Sequence, residues 1–358
     1  MKKILKIFLY IILFVVLLAV LFFGWLTVTE YRPADRESVE IVNSGDVSGK
    51  QISVEDDLNV LSWNIGYAGL GKDSDFFMDG GTSVQAADRE TVQSYLNGIA
   101  ETASSQEDTD IYMFQEVDID SKRSYRMDER ESLSLTFGAH ALNHSCSFVP
   151  SGMPPIGRVH AGLYTTSDYE ISSAERISLP CPFSWPVRTA NLKRCLLVTR
   201  FPIEGTDSEL CLINLHLEAY DDGEGKIAQT QALRDIMQEE YEKGNYVIAG
   251  GDFNQVFPGS LELYPNSHPD LWEPGVLDYD ILPDGWNFAY DSSVPTCRLL
   301  NQAYDPSDTE NTQYYVIDGF ITSPNLQIVQ VQTLDEAFAD SDHNPVKLTV
   351  SFSDSSLR

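Results

Sequence analysis

The chain has 358 residues, 42% of them apolar, enough for one large core or two modest ones. Against 54 acidic residues stand 24 basic ones, a formal net charge of −30, and no run of Lys and Arg forms a stripe. Bulk attraction to a polyanion is therefore excluded, although local sites still act within a screening distance of about 8 Å.

After Lys2, Lys3 and Lys6, residues Ile7 to Val28 read "IFLYIILFVVLLAVLFFGWLTV" without a charge. A helix crosses a bilayer with about 20 apolar residues, so this run predicts a transmembrane span. A cleaved signal peptide has a shorter apolar core, roughly 7–15 residues, closed by small residues. Here the run ends in Phe22, Phe23 and Trp25, which favours an uncleaved anchor over residues 1–28. The lysines precede it and the flank beyond is mixed. By the positive-inside rule the amino end is cytosolic, in a single-pass plasma-membrane protein whose remainder is extracytoplasmic. Residues 29–56 are polar and read as a tether, and residues 57–358 as one globular domain without internal repeats.

Short β-like runs recur through that domain: "LNVLSWNI", "DIYMFQEV", "HAGLYTT", "RCLLVTRF", "ELCLINLHL", "NYVIAGGDF", "YYVIDGFIT", "LQIVQVQTL" and "PVKLTVSF". Several are nearly continuous in apolar residues, as in strands covered on both faces. Helical spacing appears over Ser83 to Ala100 (Val92, Leu96, Ile99) and Lys226 to Lys243 (Leu233, Ile236, Met237, Tyr241), with Gly244 as the C-terminal cap. Strands outnumber helices, which predicts sheet packed on sheet with helices outside. From Val256 to Thr312 the composition is that of long loops. Of the five cysteines, Cys195 and Cys211 fall in apolar runs and read as core. Cys146, Cys181 and Cys297 complete an odd set that matches no zinc spacing.

The polar interruptions of the strand-like runs fall at their ends: Asn64, Gln115 and Glu116, His216, Asp252 and Asn254, Asp318, and Asp342 with His343 before the last strand. Singly, each is an ordinary turn former or cap. Together they gather along one edge of a layered sheet. Carboxylate and amide oxygens without cysteine suit a hard cation, Mg²⁺ or Mn²⁺, with Ca²⁺ a third candidate. The two histidines supply a general base and a donor to oxyanion charge. Neither a phosphate-binding G-x-x-x-x-G-K-[ST] loop nor a G-x-S-x-G elbow occurs.

In order and context, "LSWNI", "FQEV", "NLHL", "GGDFN", "VIDGFITS" and "SDHNPV" resemble the endonuclease/exonuclease/phosphatase superfamily, over about Asn59 to Val350. The resemblance implies a four-layer α/β sandwich, two packed mixed sheets flanked by helices, with the site at one edge. It implies Glu116 as principal metal ligand, with Asn64 and Asp342 beside it. His216, Asp252 and Asn254 would surround the scissile phosphate, and His343, oriented by Asp318, would be the base or phosphate-contacting imidazole. Arg194 stands about where many members place a phosphate-facing arginine. The chain departs from the family at "RVHAGLYTT", where His160 and Ala161 replace the usual Gly and Asn. His140, His144 and His268 lie outside the constellation and read as surface or loop residues. Arg298 is expected to hold a loop, with contact to substrate as the alternative, and Trp272, Trp286, Phe288, Tyr290 and Tyr304 line a cleft or form a satellite core.

The expected function is metal-dependent hydrolysis of a small or lipid-linked phosphoester by in-line attack of water. An extracellular nuclease is the alternative, disfavoured by net charge, and a non-catalytic phosphoester-binding module comes third. No protein partner is expected.

Overall fold

The computed structural model describes residues 2–45, 48–221, 223–308 and 310–353. Two seven-stranded sheets make the body of the domain. The first runs Leu326–Thr333, Val346–Phe352, Leu58–Asn64, Ile111–Asp118, Gly157–Ser167, Phe137–Val149, Ile41–Asn43. The second runs Arg36–Ser38, Ser173–Ser178, Cys195–Pro202, Glu209–His216, Tyr246–Asp252, Asp318–Thr322, Asn287–Ala289. Each is mixed, with one parallel pair: Leu58–Asn64 beside Ile111–Asp118, and Glu209–His216 beside Tyr246–Asp252. A parallel pair needs a crossover, and the two long helices supply them, Arg89–Ser105 in the first and Glu224–Glu242 in the second.

Three apolar layers hold the sandwich. Val60, Met113 and Leu163 of the first sheet meet Leu197, Leu212, Ile248 and Phe320 of the second. On the outer face of the first sheet, Leu61 and Phe114 pack with Val92, Leu96 and Ile99. Outside the second, Ile213 and Val247 pack with Leu233 and Met237. The central strands bury both faces, which is why their sequences are continuous rather than alternating. The architecture is the expected four-layer α/β sandwich.

Three expectations change. The predicted tether is built into the domain: Arg36–Ser38 extends one sheet, Ile41–Asn43 extends the other, and Ile52 is core. Its few apolar side chains are enough because edge pairing satisfies the backbone, so these residues belong to the folded unit. The first helix starts at Arg89, six residues later than the spacing suggested, because Asp88 is its N-cap and accepts from Thr91 N at 2.8 Å. The thirteen-residue strand Phe137–Val149 was not anticipated, because histidines and Asn143 interrupt its apolar pattern. His140 and His144 lie on it, and His144 is buried rather than on a surface or loop. His268 does lie in a loop.

The amino-terminal helix Lys2–Val28 contains an 18-residue window with a mean hydropathy of 3.1 and is long and apolar enough to cross a membrane. All five cysteines are free, with Cys195 and Cys211 fully buried and Cys181 exposed.

Candidate active site

Strand register brings the polar strand ends together. Asp252 lies opposite His216 on its parallel neighbour and opposite Asp318 on its antiparallel neighbour. Directly opposed residues share a face, so the three side chains form a row across the second sheet. On the first sheet Asn64 is opposite Gln115, and the ladder to Gly157–Ser167 slips between Phe114 and Val117. That bulge re-aims the chain. Gln115 turns inward to donate to Asn214 Oδ1 at 2.8 Å, while Glu116, at φ 56°, faces the cleft. Left-handed backbone at a non-glycine residue is costly and recurs at Asn254, φ 49°.

Asp252 is the hub. Asn64 Nδ2 donates to its Oδ2 at 3.0 Å, and the Asn254 backbone N–H donates to its Oδ1 at 2.8 Å. His216 Nε2 is 3.4 Å and His343 Nε2 3.9 Å from Oδ2. His343 Nδ1 sits 2.9 Å from Asp318 Oδ2, and its Nε2 is 3.9 Å from Asp342 Oδ2. Glu116 Oε1 is 3.5 Å from Asn64 Nδ2. The Asn64 oxygen accepts from Gly66 N, so this residue, expected as a metal ligand, presents its amide nitrogen to the site. Asn254 Nδ2 donates to Leu217 O at 2.9 Å.

Protonation follows from burial and like charge. Burial, then the Asp318 carboxylate, pushes Asp252 up to about 7. Asp342 rises to about 6, again by burial first, with Glu116 adding to the rise and His343 opposing it. Burial disfavours a charged His343, yet Asp318 and Asp342 outweigh it and hold the ring well above the usual imidazole range. His216 goes the other way, well below that range, through burial and the nearby Arg194.

Glu116, Asp252 and Asp342 line a cleft of about 580 Å³ together with His216 and His343. Arg194 lines it and donates to His216 O at 3.3 Å, with Glu218 Oε2 3.7 Å from its Nε. Arg298 also lines it, but its guanidinium is spent on Gly71 O at 2.8 Å and Gln302 O at 3.2 Å, as expected of a loop holder. Trp272 borders the cleft, whereas Trp286, Phe288 and Tyr290 belong to the outer core of the second sheet and Tyr304 packs on Phe338. His160 lies within the strand Gly157–Ser167, opposite Ser145, with its Nε2 3.4 Å from Ser145 Oγ.

No family model matches the chain. Tyrosyl-DNA phosphodiesterase 2 of Gallus gallus is 29% identical over 159 residues, 43% of this chain and 41% of that protein. The match thus spans about two fifths of that relative. An endonuclease/exonuclease/phosphatase from Beutenbergia cavernae superposes with a TM-score of 0.55 at 15% identity, over 83% of this chain and 72% of that one. The fold is that of the endonuclease/exonuclease/phosphatase proteins. A family protein from Leptotrichia buccalis (TM-score 0.52, 15% identity, 82% of this chain and 100% of that one) agrees. So does the human Nocturnin catalytic domain, solved with a bound sulfate (0.51, 17%, 88% and 97%).

Within this endonuclease/exonuclease/phosphatase fold, sequence reasoning missed Arg123. Its guanidinium lies 3.7 Å over the Tyr67 ring, donates to both Asp118 oxygens at 3.1 and 3.2 Å, and comes within 3.8 Å of Glu116. Inside "SKRSYRMDER" it looks like one of several interleaved surface charges. Asp79 and Tyr220 were missed too; the tyrosine donates to the acid at 3.1 Å, and burial, then Asp342, pushes Asp79 up to about 7.

His144, which also lines the cleft, carries a pH prediction. Burial and then Arg123 push its imidazole down to about 3. Between that value and about 6.5 the unfolded chain binds a proton that the folded one refuses, so stability falls as pH falls below 6.5. From pH 7 to pH 5, urea unfolding should show wild type losing about 2 kcal/mol more than His144→Gln. Equal losses would mean that the ring titrates normally.

Proposed function

We propose that the protein is a divalent-metal-dependent phosphoester hydrolase, anchored by Lys2–Val28 with its catalytic domain on the extracytoplasmic face. The convergence of Glu116, His216, Asp252, Asp342 and His343 from both sheets on one cleft, with Asn64 and Asp318 hydrogen-bonded to Asp252 and His343, carries this reading.

The residues present fit a hard cation. Oxygen donors dominate, burial and then neighbouring carboxylates push Asp252 and Asp342 upward, and among the described residues the buried Asp318 Oδ1 and His216 Nδ1 have no hydrogen-bond partner. Glu116 and Asp342 would hold the ion, Mg²⁺ or Mn²⁺, with Asn64 joining if its amide turns over. Such an ion neutralises phosphoryl oxygens and the leaving oxygen. Asp252, fixed by Asn64 and the Asn254 amide, orients the attacking water and takes its proton. His343, kept charged by Asp318, donates to a phosphoryl oxygen, and Arg194 adds positive charge beside His216.

Bis-p-nitrophenyl phosphate should be hydrolysed with Mg²⁺ or Mn²⁺ and spared in excess chelator. No metal-dependent hydrolysis of this ester, nor of a panel of phosphomonoesters, would sink the reading. A polynucleotide substrate is the second choice, because Arg123 and Arg298 are committed to Asp118 and to backbone carbonyls. Nicking of plasmid DNA distinguishes it.

A further inference from the structure

The amino-terminal helix does more than leave the domain behind. Every residue from Ile4 to Leu21 is exposed, a length of roughly 27 Å at 1.5 Å per residue, close to the hydrocarbon thickness of a bilayer. From Phe22 the same helix packs on the catalytic domain. Phe22 and Trp25 meet Phe148 at ring separations of 6.2 and 6.4 Å, and Phe23 meets Trp185 at 6.0 Å. Trp185 Nε1 donates to Thr27 Oγ1 at 3.0 Å. Just past the helix, Glu30 is clamped by Arg188 at 3.1 Å and Lys193 at 3.2 Å. The helix end and the segment 185–193 therefore form one unit.

That unit is part of the cleft. Phe23 and Leu26 line it together with Pro186, Val187 and Leu192, and Leu26 is buried although it belongs to the membrane-spanning helix. The apolar wall begins in the anchor and ends at Glu116, Asp252 and His343. Trp185 and Val187 are exposed in the segment that meets the helix end, where Trp185 touches Phe23 and Thr27. Amphipathic rings favour the membrane–water interface, and an exposed apolar rim on a water-soluble domain otherwise has a cost.

From this continuity we infer that the last turns of the anchor form the acceptor wall for the chain of a lipid phosphoester drawn from the same leaflet. The inference rests on the hydrolase reading and names its substrate class. The phosphate of such a lipid already lies at the interface, so it reaches the acidic residues while its chain stays against Phe23, Leu26 and Val187. A free phosphoester would leave that wall wet.

The test uses the full-length protein in phosphatidylcholine vesicles with Mg²⁺ or Mn²⁺, and two diesters sharing one leaving group, hexadecyl and ethyl p-nitrophenyl phosphate. In both, water's oxygen bonds to phosphorus, the bond to the nitrophenyl oxygen breaks, and one proton is released. Wild type should favour the hexadecyl ester at least about tenfold in kcat/KM, since tenfold needs the burial of only about two methylenes. Leu26→Asn, and separately the exposed Val187→Ser, should lower that ratio in the same vesicles. Comparing variants removes the contribution of simple partitioning. A wild-type ratio near one, or a ratio that neither substitution changes, overturns the inference while leaving the hydrolase reading in place. If neither ester is hydrolysed, the inference falls, and the hydrolase reading is then decided by the phosphomonoester panel.

Discussion

Asp252→Asn should lower kcat on a phosphodiester by about 10³-fold and leave the protein at least as stable as wild type. The two halves of this result come from one fact. Asp252 is 2% exposed and its carboxyl is pushed up to about 7, by burial and then by Asp318, so the folded state works against its charge. An amide of the same shape still accepts from Asn254 N and removes that penalty, which outweighs the one hydrogen bond from Asn64 Nδ2 that it gives up. What it cannot do is take a proton from water or balance a cation. A residue that only terminated its strand would behave otherwise: turnover would survive. Thermal unfolding and initial rates on the same preparation separate the cases. Retained turnover would end the assignment of Asp252 as proton acceptor. His343→Ala provides the partner measurement, since it removes the charge that Asp318 holds 2.9 Å away and should also cost at least about 10²-fold.

Much of this was legible because strand ends are local properties of a sequence. Nearly continuous apolar runs marked buried strands, and polar residues at their ends marked the edge where "GGDFN", "NLHL" and "VIDG" lie side by side. The register that puts Asp252 between His216 and Asp318 follows once those strands are neighbours. Other features depend on distant partners. Arg123 matters because Tyr67 and Asp118 come to it, and no spacing in "SKRSYRM" records that. The edge strands at Arg36–Ser38 and Ile41–Asn43 are too short and polar to show a period; the two sheets define them by offering free edges. The orientation of Asn64 is set by Gly66 N, a turn contact that residue type does not reveal. Contact between the helix end and the cleft was equally hidden, because apolar residues in an anchor look alike whether they meet lipid or Phe148.

Gly251→Ala is expected to be the most destabilising single-methyl change near the site, costing about 3 kcal/mol or more and lowering the thermal midpoint by roughly 5–10 °C. Gly251 has φ 141°, which L side chains rarely adopt, and an added Cβ would stand 2.0 Å from the carbonyl oxygen of Leu215. That oxygen belongs to the neighbouring parallel strand, one residue before His216, so relief requires the two strands to part where Asp252 and His216 face each other. Gly250 provides the internal comparison. Its added Cβ would meet the buried Phe320 ring at 2.2 Å, so the core must shift to admit it, but its own backbone is not in the left-handed region and no main-chain atom is among its nearest contacts. Gly250→Ala should therefore unfold at a higher temperature than Gly251→Ala and keep more of its activity. If the two variants melt together, the clash with Leu215 is absorbed elsewhere and close packing of these strands is not what the glycine pair provides. If Gly251→Ala alone loses both stability and turnover, the second glycine is there because a catalytic carboxylate has to leave a strand that has no room for a side chain beside it.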